Sequence, residues 1–257
     1  MCSVKQIYNY LDRIAPFKNA SKDDNVGLIV GAANAEVGKI LVAIDATNDV
    51  IAEAAEKGAE LIITHHPLMY RPVSKIPKGE PLHAMIRHNI NFIAAHTNFD
   101  VADYGTTDIM LDLLGFPASQ VVLSPENPDK TGFGRIVELD SPLTPQELAE
   151  KCKRAFKCSV VRYTDSNRTI KRVGLCSGGG DFLTDKALES GCDAYICGDV
   201  KWYTFTHAAN HDLTLIDAGH FHTEDIFCEY LVERLREEFP GVTVEKSVNS
   251  VDVVKYC

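Results

Sequence analysis

Histidines and carboxylates gather at the ends of three short apolar runs in this chain. Leu61-Ile62-Ile63-Thr64 leads into His65-His66-Pro67-Leu68, and Phe92-Ile93-Ala94-Ala95 leads into His96-Thr97-Asn98-Phe99-Asp100. Leu213-Thr214-Leu215-Ile216-Asp217 leads into Ala218-Gly219-His220-Phe221-His222-Thr223-Glu224. A short apolar run of this kind reads as a buried strand, and Pro67 stops the first one just after its two imidazoles. Successive side chains on a strand point to opposite faces, so His65 and His66 are expected to fan toward two different metal ions. Imidazole and carboxylate without thiolate suit a borderline or harder divalent cation.

The elements that position these residues alternate between strand and helix. Val4, Ile7, Leu11 and Ile14 mark one helical stripe, ended by Pro16. Gly27-Leu28-Ile29-Val30 and Ile40-Leu41-Val42-Ala43-Ile44 read as strands. Thr47 caps a helix through Ile51, Ala54 and Ala55, with Gly58 as its stop. Thr144-Pro145-Gln146-Glu147 combines a capping box with proline at the first helical position, opening a helix through Leu148, Cys152 and Phe156. A last helix is expected from about Thr223, with Ile226, Phe227, Tyr230, Leu231 and Leu235 inward and a stop before Pro240. The alternation argues for an α/β fold.

Composition excludes several classes. The 257 residues are 45% apolar and 24% charged, as in an ordinary globular protein. No apolar stretch approaches the roughly 20 residues needed to cross a bilayer. The first residues lack the charged and apolar regions of a signal peptide, so the cytoplasm is the expected location. Eight cysteines form no C-x-x-C pair and read as core residues or free thiols, Cys192 and Cys197 among the former. A net charge of −10 argues against a nucleic-acid scaffold and suits cation binding.

The chain also repeats itself. Lys39 to Glu60 reads strand, loop, helix and then Glu56-Lys57-Gly58-Ala59-Glu60 before a strand. Lys171 to Asp193 reads strand, Gly178-Gly179-Gly180 loop, helix and then Glu189-Ser190-Gly191-Cys192-Asp193 before a strand. The two align without gaps, and we expect an internal duplication. It would set the ligand-bearing strand ends at equivalent carboxyl edges, where α/β sheets place their sites. The triple glycine reads as a tight turn, since nothing around it matches a P-loop. Asp45 and Asp217 read as caps on their strands, Glu224 as an acid in the first turn of a helix, and His207 and His211 as part of a surface helix.

These segments together resemble the NIF-three-like family, also called GTP cyclohydrolase I type 2. The resemblance rests on Asp24-Asn25-Val26-Gly27-Leu28, Thr64-His65-His66-Pro67-Leu68 and His96-Thr97-Asn98-Phe99-Asp100. Gly132-Phe133-Gly134-Arg135, Gly198-Asp199-Val200-Lys201 and the run Gly219 to Glu224 complete it. It implies two related, intertwined α/β domains with mixed sheets flanked by helices, residues 1–125 plus 218–257 and residues 126–217. It also implies a hexameric ring and a dinuclear metal site on His65, His66, Asp100, His220 and Glu224. The family's Trp is replaced here by Asp23 and its Tyr by Phe221, and His222 is an extra imidazole open to joining the site.

Five protein ligands do not saturate two ions, so positions for water or substrate are expected. Two cations about 3.5–4 Å apart acidify a shared water, which suits hydrolysis of a nucleotide or related small molecule. His96 is the expected proton carrier, or else it orients Asp100, and Lys201 and Arg135 are expected anion contacts. Zinc, iron, manganese and nickel all fit the donors, and the lack of thiolate argues mildly against a structural zinc. The alternative is a non-enzymatic metal-binding ring assembly or partner-binding module.

Overall fold

A computed structural model of the protein describes residues 1–119, 121–125 and 132–257. They form two compact units, Met1–Ala102 with Phe227–Val251, and Asp103–Ile226 with Asp252–Cys257. Each is a mixed sheet flanked by helices. The breaks lie at 102/103, 226/227 and 251/252, whereas 125/126 and 217/218 were expected; residue 126 is outside the described residues. Packing accounts for the difference. Met110, Leu111 and Leu114 join the core of the second unit, as do Ala218 and Ile226. The stretch carrying His220 and Glu224 therefore belongs to the second unit.

In the first unit, β1 (Cys2–Ser3) and β3 (Glu36–Val37) form a short antiparallel ladder. The main sheet runs β13 (Thr243–Lys246), β4 (Lys39–Ala43), β5 (Leu61–Thr64), β6 (Asn91–Ala94) and β2 (Gly27–Val30). Only β2 is antiparallel to its neighbour. Both faces are covered, which is why the strands read as unbroken apolar runs. Leu41, Ala43, Ile62 and Phe92 pack with Val50, Ile51 and Ala54 of α2 (Asn48–Lys57) and Met85 of α3 (Pro81–Arg87). Ile40, Val42, Leu61 and Ile63, one step along each strand, are equally buried. Thr47 and Gly58 cap α2 as expected, and α1 (Val4–Ile14) starts on a capping box between Ser3 and Gln6. Parallel pairing of Ala43 with Thr64 and of Thr64 with Ala94 sets three strand ends at one edge. Asp45, His65, His66 and His96 follow directly from those ends.

The second sheet runs β7 (Val121–Pro125), β8 (Gly132–Leu143), β10 (Ile170–Leu175), β11 (Ala194–Cys197), β12 (Thr214–Asp217) and β9 (Arg162–Tyr163). β10, β11 and β12 are parallel. Ala194 and Ile196 face a core shared with α5 (Thr106–Leu114) and α6 (Pro145–Ala155). Tyr195 and Cys197 point the other way, into a core with Ala187 of α7 (Thr184–Glu189) and Ala208 of α8 (Trp202–Asn210). Thr144 and Glu147 form the expected capping box on α6. Ile40 pairs with Leu61, and Val173, 133 positions on, pairs with Ala194. The four parallel strands of the first sheet and the three of the second each end on an antiparallel edge strand, β2 or β9.

The last helix departs from expectation. It is divided at Asp225 into α9 (His220–Glu224) and α10 (Ile226–Glu238). Glu224 therefore closes a single turn that begins at His220, rather than opening a long helix. Cys192 and Cys197 are buried free thiols. Among the described residues no helix is long and apolar enough to cross a membrane.

Glu53 ties the chain after β13 to α2. Its carboxylate accepts from Ser247 Oγ at 2.5 Å, Val248 N at 3.1 Å and Asn249 N at 3.2 Å, and pairs with Lys57 at 2.9 Å. Burial pushes this carboxyl up, but the hydrogen bonds from Ser247, Lys57 and the two backbone amides outweigh it and hold its pKa at about 2. A folded value below the ordinary 4.5 stabilises the fold above that pH, and the gain is lost as pH falls through about 2. We expect Glu53→Gln to cost about 2 kcal/mol at pH 7. The gap from the parent should close as urea melts are repeated from pH 5 down toward pH 2.

Candidate metal centre

His65 and His66 leave β5 where the chain bends, and Thr64 Oγ1 donates to His66 O at 2.6 Å across that bend. Alternation therefore stops at Thr64. The two rings lie 5.3 Å between centroids at 45°. His96 precedes the single-turn helix α4 (Thr97–Asp100), and its ring stands 5.2 Å from that of His65 and 5.4 Å from that of His66. One ligand atom from each of His65, His66 and His96 can be chosen so that all three fall within 4.8 Å of one another. Asp100 closes α4, with Oδ1 3.5 Å from His65 Nε2.

Each of these imidazoles is aimed from behind. His65, fully buried, has Nδ1 3.0 Å from Ala95 O. His66 Nδ1 lies 2.9 Å from Asp45 Oδ1, and His96 Nδ1 lies 2.9 Å from Asp24 Oδ2. With Nδ1 engaged, Nε2 is the nitrogen presented to a metal or a reacting group. Burial raises the Asp24 carboxyl, but the hydrogen bonds from His96 and Thr97 outweigh it and hold its pKa at about 2. Thr97 contributes both its N–H at 3.2 Å and its hydroxyl at 2.5 Å. Asp24 and Asp45 were not among the expected functional residues. The signals were present, since Asp24 opens a motif and Asp45 follows the strand beside β5.

The second unit repeats the device. His220 and Glu224 are one turn apart on α9, with Nε2 and Oε2 at 2.9 Å, and His220 Nδ1 lies 2.7 Å from Asp199 Oδ2. Burial lowers the His220 pKa, but Glu224 and then Asp199 outweigh it and raise it to about 9. Asp199 holds a φ of +55°, a left-handed conformation that Asp tolerates better than most residues. Backbone without side chains makes the room here. A Cβ on Gly178 would overlap Glu224 Oε1, and one on Gly198 would stand 2.6 Å from His220 N.

Other expected residues have different places. Arg135, expected as an anion contact, is nearly buried; Nε lies 2.8 Å from Asp108 Oδ1, and Nη1 donates to Gly132 O and Gly134 O. Lys201 is exposed, with Nζ 3.7 Å from Asp181 Oδ2. His222 turns to Asp252 at 3.5 Å. Asp217 does cap its strand, accepting from Gly219 N at 2.9 Å and Val200 N at 3.2 Å. His207 and His211 lie at the exposed end of α8.

The donors fit a divalent cation. Imidazoles and carboxylates converge within each unit, held by partners on their far side, and no thiolate stands among them. Groups of this composition can hold a metal ion.

Comparison with known proteins identifies the family. The pattern of Duf34/NIF3 (NGG1p interacting factor 3) matches residues 2–253. A Clostridium acetobutylicum protein named GTP cyclohydrolase 1 type 2 homolog is 37% identical over 227 residues, spanning 86% of this chain and 85% of its own. A Streptomyces coelicolor protein of the same name is 33% identical over 247 residues, 92% of this chain and 87% of its own. Among solved structures, a Staphylococcus aureus hypothetical protein superposes with a TM-score of 0.90 at 28% identity, covering 99% of each chain. A Bacillus cereus protein related to NIF3 reaches 0.92 at 21% identity, over 100% of this chain and 99% of its own, a likeness of fold.

Gly178 offers a test that leaves every donor in place. Gly178→Ala adds a methyl group into the space of the Glu224 carboxylate at a backbone φ of +59°. Metal retained after purification, read by elemental analysis, should drop at least several-fold. Unchanged metal content would show that Glu224 holds no ion.

Proposed function

The chain belongs to the Duf34/NIF3 family, and from that premise we propose that it is a dinuclear metal-dependent hydrolase acting on a nucleotide or related small molecule. His65, His66, Asp100, His220 and Glu224 hold two divalent ions in this reading, which follows the family's order of motifs. Zinc, iron, manganese and nickel all remain compatible with the donors. Such ions, when bound, lower the pKa of water and offset negative charge at the attacked centre. Relatives carry the name GTP cyclohydrolase 1 type 2 homolog, which supports a nucleotide-like substrate.

One observation carries the hydrolytic reading: Asp24 fixes His96. An imidazole whose Nδ1 is committed to an ionised carboxylate presents Nε2 in a single tautomer and direction. It stands beside His65 and His66 without being needed to complete the five ligands. His96 takes a proton from the attacking water or returns one to the leaving group. Lys201 contacts an anionic part of the substrate. A hexameric ring in the cytoplasm and descent of the two units from one duplicated half belong to the same proposal; the shared strand register supports the duplication.

The second reading, a metal-holding assembly without turnover, draws on the same donors but leaves the Asp24–His96 pair without a task. Anomalous diffraction from metal-loaded crystals should show two ions at the five ligands; one ion, or none, would remove the dinuclear reading. A screen of nucleotides and phosphoesters should then find an activity that depends on those ions. His96→Asn should keep both ions and lose at least about 100-fold in turnover. An emptied metal position would instead make His96 a ligand, and unchanged turnover would deny it any chemical part.

A further inference from the structure

Residues 70–80, which follow the His65-His66 pair, are eleven consecutive exposed residues without helix or strand. Structureless segments of this length inside a compact domain are usually binding loops or lids. Arg71, Lys75 and Lys78 stand in this segment, and from Pro67 to Gly79 there is no Asp or Glu. That is unusual in a chain of net charge −10. Several surface bases elsewhere are paired, as in Arg13–Glu238, Arg168–Asp212, Arg172–Glu138 and Lys186–Glu189. None of the three loop bases has an ion pair among the described residues.

The segment is also anchored. Asn25 Nδ2 donates to Met69 O at 2.7 Å at one end, and Asn48 Nδ2 donates to Gly79 O at 2.8 Å at the other. Asn25 follows Asp24, the residue that aims His96. The Tyr70 ring stands 6.0 Å from the His96 ring, edge to face, so the arm departs from the imidazole cluster itself. Pro67, Pro72 and Pro77 restrict the backbone along it. Less conformational freedom is then lost when a ligand orders the arm.

We propose that residues 70–78 form a phosphate-binding arm of the candidate hydrolytic site, in which Arg71, Lys75 and Lys78 hold the phosphoryl groups of a small phosphorylated substrate. This rests on the reading of His65, His66 and His96 as a reaction centre and narrows its substrate to one with a polyanionic tail. Arginine forks match phosphate oxygens and lysine supplies point charge, so the arm binds by charge and reach instead of by shape. The location favours a small substrate over a second, acidic copy of the chain, because the arm starts at the imidazoles.

The test is titration calorimetry of inorganic pyrophosphate into the full chain and into the Arg71→Ala/Lys75→Ala/Lys78→Ala variant, each metal-loaded and metal-free. The exposed substitutions should leave the melting temperature and metal content unchanged. Pyrophosphate affinity should fall at least about tenfold in both states. Raising salt from about 0.05 to 0.2 M should weaken the parent more than the variant. Equal affinity of variant and parent in the metal-free state overturns the arm. So does a change of oligomeric state in the variant by light scattering, which would make the bases an interface between copies. Tighter salt-sensitive binding of a single-stranded oligonucleotide than of pyrophosphate also overturns it. A parent that takes up no metal yet shows the arm-dependent affinity would sink the hydrolase reading and leave the arm standing.

Discussion

The candidate site depends on how its imidazoles are held from behind. A histidine side chain has two rotatable bonds and two chemically distinct nitrogens, and a metal or proton site needs one nitrogen in one direction. Here Nδ1 of His65, His66, His96 and His220 is engaged by Ala95 O, Asp45, Asp24 and Asp199 respectively. Those acceptors are themselves set by strand ends and their first loops. A sheet that slipped by one residue would move acceptor and imidazole apart, so register and site chemistry are one constraint.

The two units use the same local solution. A parallel strand ends, a one-turn helix follows, and a histidine at or just before its start is followed four residues later by an acid: His96 with Asp100, and His220 with Glu224. A single turn suffices because positions four apart are neighbours on a helix. The units differ in what fills the neighbouring strand ends. Gly178 and Gly198 stand 133 positions after Asp45 and His65. Where the first unit places a carboxylate and an imidazole, the second has bare backbone, and Glu224 and His220 occupy the space thereby left.

Charge is distributed with the same economy. Carboxylates sit close to the imidazoles, where they direct nitrogen lone pairs and suit a cation. The unbalanced positive charge lies on a loop outside that cluster, over residues 71–78. Arg135, one of the two bases that the sequence singled out, contacts Asp108 and two backbone carbonyls.

Sequence alone indicated the strands β2, β4, β5, β6, β10, β11 and β12, the capped helices α2 and α6 and the candidate donor residues. Apolar runs, capping boxes and stop glycines are local signals, and α2, α6 and the parallel strands obey them. It also carried the order of motifs that places the chain in its family. Tertiary structure decided three things. The bend at His65-His66, tied by Thr64, sets the two adjacent rings 5.3 Å apart at 45°. The break at Asp225 puts Glu224 at the end of a turn that begins with His220. Asp24, Asp45 and Asp199 become acceptors for rings 72, 21 and 21 residues away in sequence. Periodicity sees which face a residue takes within its own element, but a hydrogen bond between elements depends on packing that no local pattern encodes.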